Sequence, residues 1–365
     1  MKMPAHRHFA LSILLLAVLL PARALAVDSL LVDERKVTEL APGVYTIRHV
    51  DPFPGWVNGN TTVIIGDREV LVVDACQFSF VALEDIAQIR QWTSKPVRWL
   101  VNTHWHQDHN ANNNQYMREF PGLAIVSHPA TREMIAETSL YFLQVTLSQA
   151  GSLRDKLTKR LETGKTDDGQ PLTDEKREQA KKRLEQLERI VASTKDFSLQ
   201  LPTVTFERQM TIDLGGREAR VMHLGRGNTA GDVVVYLPKE KILMSGDLLV
   251  SPVPFTFDGY PAEWIETLEK LDRLDADVIV PGHGAVMHDK SYLHLVAEMM
   301  RSVVAQVQEQ LRLDHDASLD KVKKAVDLNP WVEKFSGGDK NIAEFFNYGI
   351  GDKFVELVFN EAKQR

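Results

Sequence analysis

Val97-Arg98-Trp99-Leu100-Val101-Asn102-Thr103-His104-Trp105-His106-Gln107-Asp108-His109-Asn110 is the stretch whose reading decides the fold. Its opening residues, Val97 to Val101, form an apolar run that reads as a buried strand. The residues that follow carry three imidazoles and one carboxylate, at His104, His106, Asp108 and His109. Residues two apart in an extended segment point the same way, so His104 and His106 converge on one point. Asp108 and His109, beyond a turn, face a second point nearby. Ligands of open α/β sheets bind at the carboxyl ends of strands. Imidazole and carboxylate at this density suit zinc, or another first-row ion with a similar ligand set. A polar loop facing water would scatter its histidines; this register argues for a metal site.

Working upstream, Leu71 to Asp74 reads as a strand and Phe80 to Trp92 as a helix, with Val81, Ile86 and Ile89 at helical spacing. With Val97–Val101 they make a right-handed βαβ crossover between parallel strands. Residues 30–50 and 61–76 alternate apolar and polar, with turns at Pro42-Gly43 and Gly66-Asp67, as an antiparallel start to the sheet. Two prolines and two glycines make 51–60 a loop, on which Phe53 and Trp56 either tuck into the core or flap over a pocket.

Downstream, Asn110 and Asn112 to Asn114 are expected to cap a helix running to Phe120, Ala124–Val126 to form a strand, and Thr131 to begin another helix. Residues 139–197 break the pattern. Ala180, Leu184, Leu187 and Val191 lie on one stripe among many charges, and Pro171 to Glu175 marks a helix start, so a helical hairpin insertion with a solvated face is expected. Strands resume at Val204, and 291–365 reads as a helical C-terminal extension. Two successive sets of strands and helices imply an α/β protein with two sheets packed face to face and helices outside.

Two later strand ends also carry metal-capable residues: Asp247 in Ser-Gly-Asp (245–247) and His283 in Pro-Gly-His-Gly (281–284). With them, His104-Trp105-His106-Gln107-Asp108-His109 resembles the His-x-His-x-Asp-His signature of the metallo-β-lactamase fold superfamily. Gly-Asn-Thr-Ala-Gly-Asp (227–232) is similar to a further motif of that family. The resemblance covers roughly residues 35–290; it is specific for fold and poorly specific for substrate. It implies an αβ/βα four-layer sandwich with one or two zinc ions in a cleft between the halves. By motif, His104 and His106 would bind the first zinc, Asp108, His109 and His283 the second, and Asp247 would lie between them. Asp74 resembles a carboxylate that steadies a ligand from behind. The family's third ligand to the first zinc is usually the histidine of Gly-His-Thr, where this chain has Asn228. An amide oxygen is a poorer zinc ligand than imidazole. Three arrangements stay open: weak ligation by Asn228 with water, recruitment of His223, or work done by the second zinc. We expect Asn228 near the metal with a weakened first site.

The resemblance implies hydrolysis by water activated at zinc, with Asp108 orienting it and moving protons. Phe255 and Phe257 after Asp247, with Phe53 and Trp56, suggest an apolar-rimmed pocket for a small molecule: an ester, lactone or lactam, or else a phosphate or sulfate ester. A weakly active secreted metal-binding accessory protein is the reading from another class. Lys2 to Arg7, the apolar Phe9–Leu20 and Ala24-Leu25-Ala26 look like a secretory signal over 1–26, so a periplasmic or extracellular location is expected. Its removal takes three cations and moves the net charge from −7 to −10, which favours neither nucleic acid nor an anionic membrane. Cys76 is the sole cysteine, so no intramolecular disulfide forms, and its setting suits a small packed residue.

Overall fold

The computed structural model describes residues 34–51, 56–256 and 258–364. The secretory signal expected over 1–26 lies outside the described residues, as do Phe53 and Phe257. No helix among the described residues is long and apolar enough to cross a membrane.

The chain runs β1 (Lys36–Ala41), β2 (Val44–Arg48), β3 (Thr61–Ile65), β4 (Val70–Val73), α1 (Ser79–Trp92), β5 (Val97–Val101), α2 (Gln107–Asn110), α3 (Asn113–Glu119), β6 (Ala124–Ser127), α4 (Pro129–Thr163), α5 (Asp174–Ser193) and β7 (Val204–Thr205). It continues through β8 (Gln209–Asp213), β9 (Glu218–Met222), β10 (Val234–Leu237), β11 (Ile242–Val250), α6 (Pro261–Asp272) and β12 (Val278–His283). Helices α7 (Ser291–Leu313), α8 (Leu319–Ala325), α9 (Asn329–Ser336), α10 (Lys340–Phe346) and α11 (Val355–Gln364) follow.

β1 to β7 form one sheet in chain order, antiparallel through β4 and parallel from β4 to β7. The second has the order β12-β11-β10-β9-β8, with only β11 and β12 parallel. Strand alternation sorts their side chains into separate cores. On β4, Val70 and Val72 join the cluster of α1, while Leu71 and Val73 face the other sheet. On β10, Val235 and Leu237 meet them from the opposite side, and Val234 and Tyr236 face α6 and α7. Three apolar clusters therefore separate four layers, helix–sheet–sheet–helix, as expected for the αβ/βα sandwich.

Two expectations need correction. The helical insertion does not begin at Ser139: α4 is one unbroken 35-residue helix from Pro129 to a left-handed Gly164. Its first turns belong to the domain and its remainder, with α5, makes the hairpin. That hairpin buries Ala150, Leu187 and Ile190 in the core of the first sheet, so it rests on the domain rather than projecting from it. The second correction concerns the asparagine caps. Asn112 precedes α3 without a side-chain capping bond; its amide donates to the Cys76 carbonyl instead, 3.1 Å away. Trp56 takes the core option, 7 % exposed, with its indole N–H donating to Gln149 on α4. Cys76 is buried, as packing predicted. Helices α7 to α11 share one apolar core with the second sheet, Phe346 and Phe354 being fully enclosed.

A candidate metal centre at the strand ends

β4 and β5 are parallel neighbours, so the segments after Val73 and Val101 emerge together. Asp74 and Cys76 follow with positive φ of 63° and 48°, conformations that cost a non-glycine residue energy and persist only when the surroundings impose them. The return is the position of the Asp74 carboxylate, which accepts from Thr103 N, Thr103 Oγ1 and His109 Nδ1, each at 2.8 Å. These bonds set the tautomers of two histidines. His109 donates from Nδ1 and so turns Nε2 into the cleft. Thr103 Oγ1, its proton given to Asp74, accepts from His104 Nδ1 at 3.0 Å, so His104 also presents Nε2.

The distant donors arrive at the same place. His104 Nε2 lies 2.9 Å from His106 Nδ1 and 3.6 Å from Asp247 Oδ2. His109 Nε2 lies 3.3 Å from Asp108 Oδ2, 3.4 Å from Asp247 Oδ1 and 3.2 Å from His283 Nε2. His283 Nε2 is 2.9 Å from Asp108 Oδ2. Asp247 thus turns one oxygen toward each half of the cluster. Two sets of mutually close donors result, His104–His109–Asp247 and Asp108–His109–His283. His104 and His109 are sealed from solvent, whereas His106, Asp108 and His283 keep edges open to it.

Asn228 is fully buried. Its amide nitrogen donates to the Phe255 carbonyl at 3.1 Å and toward that of Asp247 at 3.4 Å. Its Oδ1 has no hydrogen-bond partner, and neither has Asp247 Oδ1. Buried acceptors without donors cost about 1–3 kcal/mol each and call for an explanation. A cation supplies one, and it also separates the lone pairs that face each other across the short nitrogen–nitrogen distances. The donor chemistry, imidazole with carboxylate, fits zinc. His223 does not join: its Nδ1 donates to the Asp232 carbonyl at 2.8 Å and its ring lies tilted against that of His128, 4.3 Å between centroids.

The electrostatics divide the imidazoles of the donor set. Burial pushes the His104 imidazole well below its ordinary pKa, and His109 beside it adds to this. Burial by itself would raise the carboxyls of Asp108 and Asp247. The imidazoles around them, His109 foremost, overcome it and hold both below the usual carboxylate range. Burial would lower His109 and His283 as well, but the same carboxylates outweigh it and raise both imidazoles, so a divalent cation binding here would displace their protons.

Close packing enforces this geometry. A Cβ on Gly282 would stand 1.9 Å from Asp247 Oδ1, and one on Gly59 2.4 Å from the His109 ring. Gly59 also donates its N–H to the Asp108 carbonyl at 3.2 Å, and its own carbonyl accepts from His49 Nδ1 at 2.8 Å. His49 Nε2 in turn meets buried Asp85 at 2.7 Å, and Arg35 pairs with that carboxylate. Sequence reasoning missed His49 and Asp85, and also Asn102 and Asn110. The amide of Asn110 donates to the His106 carbonyl at 2.6 Å, and that of Asn102 exchanges bonds with Asn113. For the asparagines, their density around the histidines was a signal; for His49 and Asp85, 36 residues apart, there was none. On the open side, Trp105 and Phe255 pack edge-on against His106, and Phe142 of α4 lies against Trp105.

Known proteins resemble this chain. The chain is 25 % identical over 288 residues to the linear primary-alkylsulfatase of Pseudomonas sp. (strain ATCC 19151), a match covering 74 % of the chain but 52 % of the relative. It is 31 % identical over 96 residues to the metallo-beta-lactamase type 2 of Bacteroides fragilis, covering 25 % of the chain and 39 % of the relative. The chain thus spans about half the length of the first relative and less of the second. Among solved structures, the metallo-beta-lactamase from Pontibacter korlensis superposes with a TM-score of 0.53 at 22 % identity, over 73 % of this chain and 99 % of that one. The model of the metallo-beta-lactamase superfamily matches residues 54–283, a span that includes every converging donor described above. This chain belongs to the metallo-beta-lactamase superfamily.

Proposed function

We propose that the protein is a zinc-dependent hydrolase acting on an ester, lactone or lactam bond of a small organic substrate. The observation that carries this reading is the convergence of His104, His109, Asp247, Asp108 and His283, with the orphaned oxygens of Asn228 and Asp247 beside them. His104, His106 and Asn228 would hold one zinc ion, Asp108, His109 and His283 a second, and Asp247 would lie between. When bound, zinc would lower the pKa of its water from 15.7 to about 7 and would polarise the carbonyl oxygen beside the bond to be cut.

The side chains of this protein supply the rest. Asp108, at the solvent-facing edge, orients the attacking water and carries its proton towards the leaving group. Asp74 and Thr103 keep the imidazole protons of His109 and His104 away from the cleft. Trp105, Phe142 and Phe255 give the apolar part of a substrate a surface beside His106 and exclude bulk water there. Asp108→Asn is expected to cut turnover at least 100-fold while the circular dichroism spectrum is unchanged; full turnover in that variant refutes the role.

Sulfate esters are the second reading, supported by the alkylsulfatase match over most of this chain. Initial rates on carboxylic ester, lactam, alkyl sulfate and phosphodiester substrates, before and after chelation, separate the two. Loss of all hydrolysis with chelator and recovery with zinc supports the metal. Absence of hydrolysis across the set leaves the accessory-protein reading in its place. We further propose export to the periplasm or medium, which rests on residues 1–26 and is checked by the mass of the mature N-terminus in fractionated cells.

A further inference from the structure

A second polar cavity lies beside the loop that carries His283, on the inner face of the first sheet. Along β2, Val44 packs into the core between the sheets, but the next residues on that face are Thr46 and then Arg48. Their partners across the ladder are Thr38 and Lys36 of β1. The face thus changes from apolar to hydroxyl to cationic as it reaches the open edge of the sandwich. There, a cavity of about 140 Å³ separates it from residues 284–288, with Asn60 at its inner end. A single water needs about 10–15 Å³ of such space, so a polyatomic ligand fits.

The chemistry of the lining is one-sided. Lys36, Arg48 and His288 bring cation-capable groups, Thr38, Thr46 and Asn60 neutral polar ones, and no carboxylate contributes. Among the described residues, no acid pairs with Lys36 or Arg48. Arg48 Nε is buried and has no hydrogen-bond partner. A guanidinium N–H withdrawn from water and left unbonded is costly, and a protein of net charge −7 has carboxylates enough to pair it. Asp289, next to His288, spends Oδ1 on the Ser291 N–H. Arginine's planar fork matches oxyanions in two-point geometry.

We propose that this cavity is a binding site for a tetrahedral oxyanion, sulfate or phosphate, separate from the metal centre. Arg48 is the principal contact and Lys36 and His288 supply further charge. The site adjoins the centre through Asn60, whose amide donates to the carbonyls of Pro281 and Gly284 on either side of His283. The ion arrives free or as the head of an ester, and the two sources share this chemistry.

Calorimetric titration of the zinc-loaded full chain with sodium sulfate and sodium phosphate at constant ionic strength tests the proposal. Saturable binding is expected, with Kd raised at least tenfold in Arg48→Gln and several-fold in Lys36→Gln, while zinc content stays at the wild-type level. Lys182→Gln, on the remote hairpin, should bind as the wild type does. Should Arg48→Gln fold poorly, Lys36→Gln at the exposed end of β1 decides. Equal Kd in the wild type and the folded variants overturns the proposal, because ion held only at zinc would not sense these side chains. A purely linear, unsaturable response, the general effect of excluded salts, also overturns it. Methyl sulfate and methyl phosphate distinguish the sources: binding as tight as the free ions assigns the cavity to an esterified head, and binding at least tenfold weaker assigns it to the free ion.

Discussion

Replacing Asp74 by Asn tests the claim that the tautomers of the site are set from behind. The amide is nearly isosteric, so the fold keeps its volume, but it cannot accept three bonds at once. One oxygen continues to accept from Thr103 N, at 2.8 Å in the parent. The NH2 group then points at His109 Nδ1, the donor to Asp74 at 2.8 Å. The imidazole responds by moving its proton to Nε2, the atom 3.4 Å from Asp247 Oδ1 and 3.2 Å from His283 Nε2. A ligand nitrogen is thereby blocked. Loss of such a supporting carboxylate costs about 10–100-fold in metal affinity, or about 1.4–2.8 kcal/mol at 1.4 kcal/mol per tenfold. Competition with a chromogenic chelator reads zinc affinity directly, and urea unfolding of the metal-free chain provides the control. Zinc affinity within twofold of the wild type in a folded Asp74→Asn chain refutes the argument.

Asn228→His places an imidazole where an orphaned amide oxygen stands, and is expected to raise zinc bound per chain under limiting metal; unchanged stoichiometry places the residue outside the site. Gly59→Ala drives a methyl to 2.4 Å from the His109 ring. It should weaken zinc binding at least tenfold, whereas an undisturbed affinity shows that the 56–60 loop gives way freely. His128 is pushed down to about 4 by burial, with His223 adding to it. The unfolded chain, with histidine near 6.5, therefore binds more protons between pH 4 and 6.5, and this contribution to stability is present above 6.5 and lost as pH falls towards 4. His128→Asn keeps a helix-capping side chain and removes the titration. Unfolding free energies from urea titrations at pH 4.5 and 7.0 should then differ by about 1–2 kcal/mol less than in the wild type, after discounting for half-exposure; equal differences refute the assignment.

Much of the site was legible because its chemistry is local. His104, His106, Asp108 and His109 share one turn at the end of β5, and residues that close cannot separate. His283 ends β12 as its sequence suggested, but Asp247, expected at a strand end too, lies within β11, whose register against β12 shifts on both sides of Gly246; parallel pairing of the two strands still brings both residues to the cleft. The break in pattern at 139–197 was visible, but its start was not. Helical spacing persists through Ser139, no proline follows Pro129 within α4, and the single internal glycine, Gly151, does not break the helix before Gly164. The fate of Trp56 depended on whether α4 and α5 cover it, a question of packing that periodicity does not address.

The chain by itself determined the class of fold, the parallel crossover around β5 and the residues able to bind a metal, since alternation, turn residues and ligand spacing act over short distances. Tertiary structure alone decided what those residues do to one another. The division of Asp247 between two halves, the exclusion of His223, the unbonded oxygen of Asn228 and the support of Gly59 by His49 and Asp85 all join parts far apart in sequence. Such contacts are selected by which strand ends and loops the packed layers bring within 3–4 Å, and no local pattern encodes that.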